Sequence, residues 1–162
     1  MNREPKLDVI DRKILQILQR DGKTSNVDLA KRVHLSSTPC FERVRRLEEA
    51  GYIERYVAQL NPQKLGMGLL AFIEISLDRT NPAAFDEFRK NVADIGSVQE
   101  CHMVAGGFDY LLKVRVADMA AYRRFLGERV SALPGVSRTH TYFVMEEIKV
   151  TQELPIAALK SK

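Results

Sequence analysis

Cysteine is scarce in this chain of 162 residues: Cys40 and Cys101 are the only two. They are too few for a disulfide framework and lack a Cys-x-x-Cys spacing, so both are expected as buried thiols in a reducing cytoplasm. The three histidines, His34, His102 and His140, are scattered and show no His-x-x-His or His-Glu-x-x-His spacing. No metal is therefore expected. The chain has no Gly-x-Ser-x-Gly elbow and no phosphate-loop glycine pattern. No catalytic residue and no cofactor are expected, and the chain does not read as an enzyme. No apolar run reaches the length of a bilayer span. The opening MNREPKLDVIDRK mixes charges of both signs and has no apolar stretch, so it is not expected to act as a signal peptide.

What is present is an ordinary globular composition, 45% hydrophobic and 28% charged, with an uneven charge. Residues 1–64 hold 13 Lys/Arg against 9 Asp/Glu, whereas residues 65–162 hold 12 of each. The whole formal excess of +4 thus sits in the N-terminal part. That asymmetry points to a polyanion-binding module joined to a neutral one.

The N-terminal part reads as three helices and a wing. Asp8 caps a first helix with Ile10, Ile14, Ile17 and Leu18 at helical spacing, and Gly22 stops it. Thr24 or Ser25 caps a short second helix, with Val27, Leu29, Ala30 and Val33 as its apolar face. After the turn HLSS, Ser36 or Ser37 caps a third helix with Pro39 in its first turn and Gly51 as its stop. Cys40, Val44 and Leu47 share one face; Glu42, Arg45, Arg46 and Glu49 lie opposite, with Arg43 on a flank. The alternation in YIERYVAQLNP predicts a two-stranded wing. The hydroxyls of Ser36, Ser37 and Thr38, with the amides of the helix start, can donate to phosphate. Arg43, Arg45 and Arg46 can reach phosphates or a guanine edge. The same face also fits a solvated surface, paired within itself as Glu42–Arg46 and Arg45–Glu49.

Residues 61–68, NPQKLGMG, read as a hinge. Beyond it the pattern alternates as strand, helix, strand, strand, helix, strand. The strands are LLAFIEISLD, SVQECHMV, DYLLKVRV and SRTHTYFVME; the helices start at Asn81-Pro82 and Asp118. This βαββαβ order predicts a ferredoxin-like antiparallel sheet with both helices on one face. Phe72, Cys101, Met103, Phe143 and Met145, or the alternate register, are expected on the other face. That surface needs a cover, and a second copy of the chain is the simplest. In VAGGFDYLLKV, Gly106 and Gly107 offer backbone N–H groups for a carboxylate, and Asp109 offers an acceptor for an ammonium group. A free α-amino acid carries both. A plain hairpin turn explains the same residues.

The run from LDVIDRKIL through STPCFERVRRLEEAGYIERYVAQLNP, with VQECHMVAGGFDYLLKVRV and LPGVSRTHTYFVMEEIK, resembles the Lrp/AsnC family, the feast/famine regulators of bacteria and archaea. The resemblance runs from about Leu7 to Lys149. It implies an α+β chain with a winged helix-turn-helix over residues 1–60 and a hinge over 61–68. A ferredoxin-like effector-binding and oligomerisation domain would span 69–150, and a tail 151–162. The implied partners are double-stranded operator DNA, an amino acid effector and further copies of the chain, as dimers assembling to octamers or similar discs. By position, Ser36, Ser37, Thr38, Arg43, Arg45 and Arg46 would face DNA. The effector site would take in Met103, Gly106, Gly107, Asp109, Met119, Thr139, Thr141, Tyr142 and Val144. The family usually carries an acidic residue where Gly107 stands. Leucine or another apolar amino acid is the expected effector, acting by a change of assembly on DNA in the cytoplasm. An architectural, nucleoid-type DNA-binding protein without effector is the alternative; an enzyme subunit with an allosteric ferredoxin-like domain is a third reading.

Overall fold

Helix α1 (Val9–Leu18) starts where two aspartates cap each other. Asp8 accepts from the Asp11 N–H at 2.7 Å, and Asp11 accepts from the Asp8 N–H at 3.1 Å. Such a reciprocal cap contributes about 1 kcal/mol to the first turn. Helix α2 (Asn26–Val33) is capped by Ser25 and ends on His34, whose φ of 59° is left-handed. Helix α3 (Ser37–Glu49) has Ser36 at its N-cap, but the Ser36 side chain makes no capping bond. Its end is fixed by Gly51 at φ 75° and by the Tyr52 N–H reaching back to the Leu47 carbonyl at 2.9 Å.

The computed structural model describes residues 7–156, in two compact units. Described residues up to Gln59, with those from Val150 on, form the first; Leu60–Lys149 forms the second. Residues 1–6 of the expected DNA-binding domain and 157–162 of the expected tail lie outside the described residues.

The first unit closes over Ile14, Leu15, Leu29, Ala30, Cys40 and Leu47, with Val44 packed at the margin. Truncating a buried leucine such as Leu29 to alanine costs roughly 2–5 kcal/mol, a large share of a small domain's stability. Val27, expected on the apolar face of α2, is instead half exposed. The residues after Gly51 correct a further expectation: among the described residues, 52–61 form no paired strand. A hairpin wing needs a turn between two strands, and YIERYVAQL offers no turn residue. One segment runs out instead and is held by Tyr56. Its hydroxyl donates to Glu48 at 2.9 Å, and its ring lies where a side chain on Gly22 would begin, 3.0 Å from that Cβ position. The tail joins the same unit. Gln19 and Leu154 exchange side-chain and backbone hydrogen bonds at 2.9 and 3.1 Å, Arg20 meets Glu153 at 2.8 Å, and Ile156 packs on the core.

The second unit opens with a turn at Asn61–Gly66, where Met67 N–H reaches the Pro62 carbonyl at 2.8 Å. Then follow β1 (Leu69–Leu77), α4 (Pro82–Ala93), β2 (Val98–Met103), β3 (Tyr110–Val116), α5 (Met119–Phe125) with a π turn at Leu126–Val130, and β4 (Val136–Phe143). The sheet is antiparallel in the order β2-β3-β1-β4, the ferredoxin-like arrangement. Ile73, Ile75, Leu112 and Val114 pack on Phe88, Val92, Tyr122 and Val130 on the helix-covered face.

The opposite face differs from the first of the two expected registers. Cys101 pairs with Leu112, Met103 with Tyr110 and Phe143 with Ala71, so all three share the helix side. Met145 lies beyond β4, fully exposed. The face away from the helices carries Leu70 and Arg115, both buried, with Phe72, Leu111 and Tyr142 more open among Glu74, Glu100, Lys113 and His140. Register shifts at Val98/Glu100 and at Ser76/Leu77 put β2 and β4 one residue out of step with a plain alternation. Cys101, expected to be buried, is exposed on the edge strand β2.

Candidate DNA-binding and effector sites

Ser36, the N-cap of α3, and Ser37, Thr38 and Arg45 on the helix are all exposed. Because Ser36 makes no capping bond, its hydroxyl is not spent on its own helix. Arg45 pairs with Glu42 at 3.0 Å and Glu49 at 3.5 Å, both at the surface. Exposed pairs of this kind contribute about 0–1 kcal/mol, so a phosphate can displace them. The row Ser37, Phe41, Arg45 follows the i,i+4 spacing of one helix face. Phe41 is 53% exposed in it. Sequence reasoning passed over Phe41, although that spacing was there to read. An exposed aromatic beside hydroxyls and a guanidinium can pack on a thymine methyl or a sugar.

Arg43 and Arg46 stand elsewhere. Arg43 Nη1 reaches Asp8 at 2.6 Å and Asp11 at 2.8 Å; Arg46 Nη2 reaches the two Asp11 oxygens at 2.8 and 2.7 Å. Asp11 is 1% exposed. The expected Glu42–Arg46 pair is replaced by this contact with α1. Burial of the Asp8 carboxylate opposes its ionisation, but the Asp11 N–H and the Arg43 guanidinium outweigh it and hold Asp8 below the usual carboxylate range. The hydrogen bonds that Arg43 donates to Asp8 and Asp11 raise its guanidinium further in turn.

The bend between β2 and β3 is closed by the Val104 N–H to the Asp109 carbonyl at 3.0 Å. Gly106 and Gly107 sit in it with open space where a Cβ would be, and neither has a left-handed φ. Asp109 is tied to β1: its N–H reaches the Ile75 carbonyl at 2.9 Å, and its Oδ2 accepts from the Leu77 N–H at 2.7 Å. Thr139 pairs with Ile75 on the far side of β1, at the same end of the sheet. Met103 is exposed beside the bend.

The remaining expected effector residues lie apart. Met119 opens α5, after the end of β3 that is remote from the bend. Tyr142 pairs with Phe72, and the Val144 N–H bonds the Leu70 carbonyl, near that same remote end. From Leu77 to Leu70 the strand advances seven residue steps, roughly 23 Å. Thr141 lies between, its hydroxyl bonded to the Tyr122 hydroxyl on the helix side. Tyr142 faces the other way, against His140. One chain therefore gathers Gly106, Gly107, Asp109 and Thr139 at one end of its sheet and Met119, Tyr142 and Val144 at the other.

Residues 70–154 match the family model described as the Lrp/AsnC ligand binding domain, and residues 7–54 match one described as winged helix-turn-helix DNA-binding. The chain is 57% identical over 150 residues to the leucine-responsive regulatory proteins of Klebsiella pneumoniae and Escherichia coli K12, covering 93% of this chain and 92% of each relative. Among solved structures, a transcriptional regulator of Neisseria meningitidis in complex with L-methionine superposes with a TM-score of 0.89 at 39% identity, covering 93% of this chain and 97% of the other. A feast or famine regulatory protein of M. tuberculosis, also complexed with L-methionine, superposes at 0.83 and 33% identity, covering 91% and 98%.

Proposed function

The chain belongs to the Lrp/AsnC family, and from that premise we propose that it is an amino-acid-responsive regulator of transcription. Its first unit binds double-stranded DNA through the start of α3, with Ser36, Ser37, Thr38 and Arg45 as donors and Phe41 as an apolar contact. The second unit binds an amino acid at the bend of Gly106, Gly107 and Asp109. The exposed row Ser37, Phe41, Arg45, in a unit matched by a DNA-binding model, is the observation that carries the reading.

The separation of the expected effector residues supports a site shared between copies of the chain. Asp109 and Thr139 of one protomer would meet Met119, Tyr142 and Val144 of another. The sheet face away from the helices, with Phe72 and Leu111 partly exposed and Tyr142 exposed, supports a two-fold contact that hides apolar surface. An amino acid bound between copies favours one assembly, and DNA affinity follows because each assembly presents a different set of α3 helices. Leucine and methionine are the first effectors to test, since the relatives are leucine-responsive and two solved neighbours hold L-methionine.

One observation favours a second reading, an architectural DNA-binding protein without effector. Asp109 already has a partner in Leu77, and the bend has no second acid. A thermal-shift screen of the twenty amino acids separates the two. A ligand that binds only the folded state raises the melting temperature in proportion to RT ln(1 + [L]/Kd). A shift with one or a few apolar amino acids supports the regulator; no shift with any of the twenty supports the architectural protein.

A further inference from the structure

Asp11 is an acid buried at the joint between α1 and α3, with both oxygens occupied. They receive the Asp8 N–H, Arg43 Nη1 and, twice, Arg46 Nη2. An ionised carboxylate has about four lone-pair sites, so these four contacts fill it. A buried carboxylate left without partners is strongly destabilising, which ties both guanidiniums to it. Two aspartates balance two arginines: Asp8 and Asp11 against Arg43 and Arg46. Arg43 and Arg46 are three residues apart and stack on one side of α3. Arg45, between them, points to solvent with only surface partners.

We propose that Asp11 is a positioning residue for DNA recognition: it clasps Arg43 and Arg46, fixes the rotation of α3, and so aims the Ser37, Phe41, Arg45 row at the DNA. The clasped arginines are then part of the scaffold and not phosphate contacts. The proposal rests on the reading of α3 as the DNA-facing helix. It assigns Arg43 and Arg46 a role that their sequence position beside Arg45 does not reveal.

The test is DNA affinity as a function of salt, for fragments selected by the protein from a random pool and for unselected DNA. Arg45→Ala, Arg46→Gln and Asp11→Asn are compared with the wild type. Each phosphate contact removed lowers the slope of log K against log salt by about 0.9 per bound protomer. Arg45→Ala is expected to make the slope shallower by that amount. Arg46→Gln and Asp11→Asn are expected to keep the slope while the preference for selected over unselected DNA falls about 10-fold or more, the loss of one good base contact. Mere loss of folded protein lowers both affinities together and moves neither slope nor preference. A shallower slope in Arg46→Gln overturns the clasp. So does a shallower slope in Asp11→Asn, because the arginines would then have been phosphate contacts in the wild type. If Asp11→Asn does not fold, Arg46→Gln decides alone by the same criterion. A wild type with no salt-dependent DNA binding removes the functional reading, and the proposal falls with it; a slope change in Arg46→Gln with wild-type binding intact removes the clasp alone.

Discussion

The Asp109 carboxylate accepts a hydrogen bond of 2.7 Å from the backbone N–H of Leu77, across the strand boundary between the β2–β3 bend and the end of β1. One oxygen, Oδ2, is used there, which leaves Oδ1 for a ligand. Asp109→Asn keeps a carbonyl oxygen for Leu77 and removes the charge. The fold should survive, while effector affinity measured by calorimetry falls about 10- to 150-fold, the worth of one charge-assisted hydrogen bond of roughly 1.5–3 kcal/mol. Asp109→Ala removes both and leaves the Leu77 N–H without its acceptor. It should lower the melting temperature as well, by about 1–3 kcal/mol of stability. Equal effector affinity in wild type and Asp109→Asn would place the ammonium site elsewhere.

Gly107 has open space at its Cβ position and no left-handed backbone, so an aspartate fits there. Gly107→Asp gives the bend the second acid that the family pattern usually has. The expected outcome is unchanged thermal stability, within about 0.5 kcal/mol for an exposed substitution, and a changed ranking of amino acids in the thermal-shift screen. An unchanged ranking would mean that this position does not meet the effector.

Much of this architecture was legible in the sequence, for reasons that can be named. Caps at Asp8, Ser25, Asn81 and Asp118 are local, so helix starts could be read from a few residues. The βαββαβ order followed from alternating patterns. The faces of β2 and β4 were harder, because a single register shift moves each side chain to the other side and leaves no mark in composition. The role of Arg43 and Arg46 depends on Asp11, 32 and 35 residues away. The tail depends on Gln19, 135 residues from Leu154. Neither distance leaves a periodic signal. The winged helix-turn-helix was legible and the family model matches it, but the two paired strands read from YIERYVAQLNP are not formed among the described residues, because alternation does not supply the turn that two strands require.

The tail contact has a stability consequence. Deleting residues 151–162 removes the Gln19–Leu154 exchange, the Arg20–Glu153 pair and the Ile156 contact. The exposed ion pair contributes little. Two hydrogen bonds and a partly buried isoleucine together contribute roughly 2–4 kcal/mol. Denaturant unfolding of the first unit should shift to lower midpoint by that amount, while the second unit keeps its midpoint. Equal midpoints for truncated and full chains would show that the tail does not hold in solution.

Tyr56 gives the first unit a pH dependence. Burial, with the Glu48 carboxylate beside it, pushes the phenol up to about 12 from its ordinary 10.0, although half of the residue is exposed. The folded state thus holds its proton more tightly than the unfolded one. Its contribution is fully present below pH 10 and is lost as pH rises toward about 12. Alkaline unfolding curves of wild type and Tyr56→Phe should diverge in that window, with the wild type losing stability more steeply. Parallel curves would mean that the Tyr56–Glu48 bond does not persist.

The measurement closest to the central claim is the affinity for a selected DNA fragment, by fluorescence anisotropy at fixed salt, with and without saturating leucine or methionine, followed through sedimentation of the same samples. At least one of the two is expected to change DNA affinity by about 5- to 150-fold, the range of ordinary allosteric coupling, and to shift the assembly state in parallel. DNA affinity and sedimentation unchanged by any of the twenty amino acids would contradict it.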